Sequence, residues 1–248
     1  MKFFPYLSTV LGLSACTPEF NAEEWTAKYN RERAALYEQG PRSNLEQKLQ
    51  GDLHFGIVLV DMQPRFLEHG FYPYESHEMI TEQKRVLTAA RDYDLPVLVF
   101  ETDGYGDTIP ALQDLIEQIP RTTTFGKRYD DGFEIYESII QHPNPGIFPQ
   151  DWLQEQGVNA LYFMGINGNA CVTETASSAQ ELNFTIATSN QVIATANDNA
   201  QSGDCRSESC DEAKAGLLLF QSKGILDPEN QPFLDYFKEQ KRTEIQDQ

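Results

Sequence analysis

From His54 onward, short apolar runs alternate with amphipathic stretches, and each run stops at or just before a polar residue. "FGIVLV" ends at Asp61, "LPVLVF" at Glu101, "TTTF" leads to Lys127, "ALYFMGI" leads to Cys171, and "FTIATSNQVIAT" supplies one or two more strands. Runs that are apolar at nearly every position read as strands covered on both faces, and the amphipathic stretches between them are the covering helices. This predicts an α/β protein with a mostly parallel sheet. Helices are expected at about residues 76–93, 109–118, 150–156, 171–182 and 210–222. Ser76 reads as an N-cap, Asp94 and Pro96 close the first of these helices, and Gly157 follows the third.

In open parallel sheets ligands bind outside the carboxyl ends of the strands, so polar residues that immediately follow strands face one crevice. Asp61, Lys127 and Cys171 hold such positions. Singly, each has an ordinary explanation: a turn cap, a solvated cation, a small packing residue. Together they make a nucleophilic site, because a thiol attacking a carbonyl needs a base, a charge that favours thiolate and donors for the oxyanion. Asp61 is placed to take the thiol proton, and Lys127 between carboxylate and sulfur is expected to favour both anions and lower the thiol pKa. Cys171 at a helix start gains from the macrodipole and its free amides. The preceding "GINGNAC" is rich in residues that tolerate unusual backbone geometry.

The stretches "IVLVDMQPRF", "TFGKRYDDGF" and "MGINGNACVTETASSAQELNFTI", in this order, resemble the isochorismatase-like hydrolase superfamily over roughly residues 53–225. The resemblance implies a three-layer α/β/α Rossmann-like fold with an Asp-Lys-Cys triad: Asp61 as general base, Lys127 as bridging cation, Cys171 as nucleophile through an acyl-enzyme. It further implies a non-proline cis peptide near Asn167 and Gly168, with an oxyanion hole formed by the N–H of Cys171 and one from that turn. Phe66 stands where the family places an aromatic wall, and Tyr105 follows the second strand near the same crevice; ordinary packing explains either equally well. Gln63 is read as orienting Asp61 or capping the following turn. Isochorismatases proper lack the cysteine and the amidases of the group retain it, so its presence favours C–N bond hydrolysis. Nicotinamidase members carry an Asp-x-His metal cluster after the second strand, whereas this chain reads "FETDGYGDT" there. His54, His69, His77 and His142 have no ligand-like spacing, so neither a metal nor another cofactor is expected. Where family members often have Gly, this chain has Asn183, a residue that tolerates left-handed geometry.

The segment ahead of the domain reads differently. Lys2, an apolar run and "LSAC" ending at Cys16 describe a secretory signal over residues 1–16 whose last residues resemble a lipobox, with Cys16 as the lipidation site. Residues 17–50 are expected to be a tether or an N-terminal helix, and residues 51–240 the hydrolase domain. Cys205 and Cys210, in the polar "GDCRSESCDEA", suit a small surface disulfide in an oxidising compartment; a metal pair is the rival and lacks further ligands nearby. Residues 197–212 read as a lid or a partner surface. The expected location is therefore the cell envelope, periplasmic or lipid-anchored, with the cytoplasm as the alternative.

Acidic residues outnumber basic ones 38 to 19, a formal charge of −19 that repels nucleic acid. Such a balance also serves solubility alone and says nothing of substrate charge. The expected partners are a small-molecule substrate and, by resemblance, further copies in a homo-oligomer, with no nucleic acid. The expected function is a metal-free cysteine hydrolase of a small amide or ureide; the alternative is a catalytically silent envelope binding protein that retains the fold.

Overall fold

The computed structural model describes residues 52–68, 75–134, 147–194 and 222–246, together with Leu45, Leu219 and Phe220. Cys16, Cys205, Cys210, the segment 197–212 and nearly all of the segment 1–50 lie outside the described residues, as does most of the helix expected at 210–222. Among the described residues no helix is long and apolar enough to cross a membrane.

The described strands are β1 (Phe55–Val60), β2 (Val97–Thr102), β3 (Thr122–Lys127), β4 (Ala160–Gly165), β5 (Thr185–Ser189) and β6 (Ile225–Asp227). They form one sheet in the order β3-β2-β1-β4-β5-β6, with every pairing parallel. The central strands β1 and β4 are buried at every residue, which is why both read as unbroken apolar runs. At the edge, β3 alternates instead, placing Phe125 and Lys127 on its buried side.

The helices are α1 (Pro64–Glu68), α2 (Glu75–Tyr93), α3 (Pro110–Ile116), α4 (Pro149–Glu155), α5 (Cys171–Glu181) and α6 (Gln231–Gln246). With this strand order, the right-handed rule for parallel crossovers puts α2 and α3 on one face of the sheet and α5 on the other, giving three layers. Ser76 lies inside α2, since that helix already begins at Glu75. Asp94 and Gly157 adopt positive φ, 57° and 73°, and end α2 and α4 as their positions suggest. After α5, Asn183 takes φ 69°, the left-handed residue that Asn accepts at low cost.

Three elements were not expected. β6 is three residues long, too short for a periodic signal. α1 is a single turn opened by Pro64. α6 returns the chain to the sheet beside α2, with Phe233 and Phe237 fully buried and Phe237 and Tyr236 edge-on to Phe55 at 5.8 and 5.6 Å. The expected end of the domain at residue 240 thus falls inside a helix.

Candidate active site

The strand order reverses direction between β1 and β4, so their carboxyl ends open a crevice. Gly165 makes this closeness feasible. It pairs with Val60 at φ 134°, and a Cβ there would lie 2.1 Å from the Val60 carbonyl oxygen. Asp61 follows Val60 at φ 53°, an uncommon conformation for a residue with a side chain, and is fully buried. Its amide donates to Phe100 O at 3.0 Å, which ties the turn to β2.

Lys127 reaches the same point from the last residue of β3. Its Nζ lies 2.8 Å from Asp61 Oδ2 and donates to Tyr129 O at 2.9 Å, with only 5% of the residue exposed. Thr102, paired with Lys127 across the sheet, donates its hydroxyl to Asp61 Oδ1 at 2.9 Å. Cys171 starts α5 and is 5% exposed. The N-cap Ala170 makes no side-chain cap, so Cys171 stands at the positive end of the helix dipole. The structure therefore brings Asp61, Lys127 and Cys171 together.

Burial raises the Asp61 carboxyl above its usual range, against the opposing pull of Lys127 and the hydrogen bonds from Lys127, Cys171 and Thr102. Burial also pushes the Cys171 thiol strongly up, and Asp61 and Asp130 push the same way while Lys127 opposes them. The net direction is opposite to that expected from Lys127 alone. Burial and the two carboxylates thus favour the thiol over the thiolate.

The turn before Cys171 contains a non-proline cis peptide at Ile166–Asn167, one bond ahead of the Asn167–Gly168 step. Gly168 does not offer its amide to the crevice: it donates to Ala194 O at 2.8 Å, in the segment that runs beside β4. Asn167 O accepts from Ala170 N and Val172 N at 3.1 and 3.0 Å, which winds the turn into α5. Of the turn residues singled out, Cys171 thus keeps the clearest claim to an oxyanion donor.

The Gln63 side chain bonds neither Asp61 nor the turn that follows, although its backbone meets both, Gln63 N donating to Asp61 O at 2.8 Å and Gln63 O accepting from Phe66 N at 3.1 Å. Its side chain donates to Thr102 O at 3.0 Å and to Gly106 O, and accepts from Thr102 N at 2.8 Å, joining the ends of β1 and β2. Phe66 and Tyr105, one on each side of that join, stack at 4.6 Å with an interplanar angle of 22°, and the Arg65 guanidinium lies 4.5 Å above the Tyr105 ring. Glu101 accepts from the Thr108 amide and hydroxyl, both at 2.7 Å, and so closes the loop after β2. Among the described residues no group of three or more His, Cys, Asp or Glu side chains is placed to hold a metal ion.

Sequence reasoning missed Thr102, Asp130 and Thr175. Asp130 Oδ1 accepts from Cys171 Sγ at 3.3 Å. Thr175, fully buried one turn into α5, accepts from Gly132 N at 3.0 Å and bonds Asp130 O at 3.2 Å and Cys171 O at 2.6 Å. The i, i+4 spacing of Cys171 and Thr175 on one helix face was the available signal for it.

A family model for the isochorismatase domain matches residues 56–207. No curated protein matches the chain by sequence. Among solved structures, an isochorismatase-like hydrolase from Alkaliphilus metalliredigens is 16% identical, with a TM-score of 0.55 over 74% of this chain and 98% of that one. A nicotinamidase from Staphylococcus aureus is 16% identical, with a TM-score of 0.54 over 71% and 100% of the two chains. A ribonuclease from Caenorhabditis elegans is 18% identical, with a TM-score of 0.54 over 73% and 79%. At these identities the likeness is one of fold.

Proposed function

The chain belongs to the isochorismatase domain family, and from that premise we propose that it is a hydrolase that opens the C–N bond of a small amide or ureide through a thioester on Cys171. The observation that carries this reading is the buried Asp61–Lys127 pair, 2.8 Å apart, beside the thiol that begins α5. A charge pair out of water is costly to keep without a task, and a base next to a helix-start cysteine has one. A nicotinamidase, an amidase by name, shares the fold.

The steps follow from the proton inventory. Cys171 Sγ attacks the carbonyl carbon while its proton passes to Asp61, and the developing oxyanion lies towards the Cys171 amide at the start of α5. Collapse breaks the C–N bond, and Asp61 returns the proton to the departing nitrogen. Water then attacks the thioester, its proton passes to Asp61, and the C–S bond breaks to give the acid or carbamate. The leaving sulfur recovers the proton from Asp61. Lys127 keeps Asp61 ionised between these transfers and steadies the sulfur as it gains charge. The Phe66–Tyr105 pair forms one wall for the substrate.

The test is ammonia release from a panel of primary amides and ureides, with wild type and Cys171→Ala compared. Turnover that depends on Cys171 is expected; equal turnover in both overturns the proposal. Export, lipidation at Cys16 and homo-oligomer formation are proposed from residues 1–16 and the family resemblance alone. Loss of the protein from the membrane fraction on Cys16→Ser is the expected result for the anchor.

A further inference from the structure

Two carboxylates converge on one sulfur, and the chemistry above uses only one. Asp61 approaches from the buried end of β1 with Lys127 beside it. Asp130 approaches from the exposed loop after β3, its Oδ1 3.3 Å from Cys171 Sγ. The loop holds it there through the backbone, since Asp130 O meets the buried Thr175 hydroxyl at 3.2 Å. The neighbouring Asp131 is spent on structure, accepting from Ser178 Oγ at 2.5 Å and Phe133 N at 2.8 Å. Asp130 instead aims its carboxylate at the reacting atom. A thiol is a weak donor and a carboxylate has about four acceptor sites, so a substrate N–H displaces this contact readily.

The charges decide which substrate does so. Asp61 and Lys127 offset each other, and among the described residues no cation pairs with Asp130. The nearby arginines are engaged elsewhere: Arg128 pairs with Asp103 at 3.4 Å, and Arg65 lies over Tyr105. A unit charge at about 4 Å alters an encounter by roughly fivefold even in bulk water, and more as water leaves. We propose that Asp130 is a specificity-determining residue that selects substrates carrying a positive charge beside the scissile carbonyl, such as an ammonium, amidinium or guanidinium group. This rests on the reading of Cys171 as nucleophile.

The experiment alkylates Cys171 with three probes of different charge: 2-bromoethyl-trimethylammonium, iodoacetamide and iodoacetate. Each rate is read by mass at the Cys171 peptide and normalised to the rate on the unfolded chain. In wild type at low salt the normalised order is cationic over neutral over anionic. Asp130→Asn compresses the cation-to-anion ratio by about fivefold or more, and Asp130→Glu preserves it. An unchanged ratio in Asp130→Asn, or all three rates shifted equally, overturns the proposal. So does a wild type with no cation preference, whether or not the variants fold. Should the amide panel show no turnover dependent on Cys171, the hydrolase reading falls, while the alkylation ratio still decides what Asp130 selects.

Discussion

Because Asp61 raises the Cys171 thiol, removing its charge should have opposite effects on two reactions of the same sulfur. Asp61→Asn leaves Lys127 unopposed next to the thiol, so alkylation by iodoacetamide at neutral pH is expected to speed up. Amide turnover is expected to fall by at least about a hundredfold, because the proton has no acceptor during attack. Slower alkylation in this variant would contradict the electrostatic account. The pH profile follows from the same group. Asp61 acts as base only when ionised, and its raised pKa means that it protonates at higher pH than an ordinary carboxyl. The acid limb of kcat/KM should therefore lie above the ordinary carboxylate value of about 3.9 and vanish in Asp61→Asn. Folded Asp61 holds its proton more tightly than unfolded Asp61, so stability from this group falls as pH rises through the window and is gained as pH falls. The acid loss of activity should accordingly reverse without unfolding, as near-UV circular dichroism would report. Lys127→Ala, by stranding a buried carboxylate, should cost about 3 to 5 kcal/mol in denaturant unfolding, whereas the pair Asp61→Asn with Lys127→Met should recover most of that and no activity. Position made Asp61, Lys127 and Cys171 legible, since each stands at a strand end or helix start. Asp130 was not legible, because two adjacent aspartates on a loop look alike until α5 shows which one faces the sulfur. Thr102 was hidden by its place at the tail of an apolar run.

At the scale of elements, β1 to β5 and α2 to α5 were legible because apolar periodicity survives where both faces are covered. The fit of β1 to β4 was not, since it depends on one glycine whose role appears only when the register is known. Gly165→Ala sets a methyl against the Val60 carbonyl, at a φ that side chains rarely adopt. The expected result is a loss of more than about 3 kcal/mol in unfolding free energy, measured by urea denaturation, together with loss of turnover. A stable, fully active variant would mean that the ends of β1 and β4 are not held as described. The turn after β4 was legible in composition and not in hydrogen bonding. Gly168 looks like a free backbone donor in sequence, and it is taken by Ala194, a partner brought alongside by the β-bridge of Gly165 to Ile193.

The molecule as a whole is closed by α6, whose aromatic residues pack over the amino end of β1 and whose backbone runs beside α2. That helix was not expected, because three aromatic residues among many polar ones give a weak signal until the surface they cover is known. The opposite end of the sheet order has a different consequence. Among the described strands β3 lies at the edge and pairs with β2, yet it supplies Lys127, while Asp61 and Cys171 hang from the two central strands. Edges open with less free energy than centres. Warming should therefore withdraw the cation first and leave nucleophile and base in place, so that catalysis fades at a lower temperature than the far-UV transition and returns on cooling. Coincident curves would mean that β3 is pinned by something beyond its pairing with β2. Separate curves would mean that the protein carries its most removable charge on its most removable strand, making the edge of the sheet a reversible fuse for the chemistry at its middle.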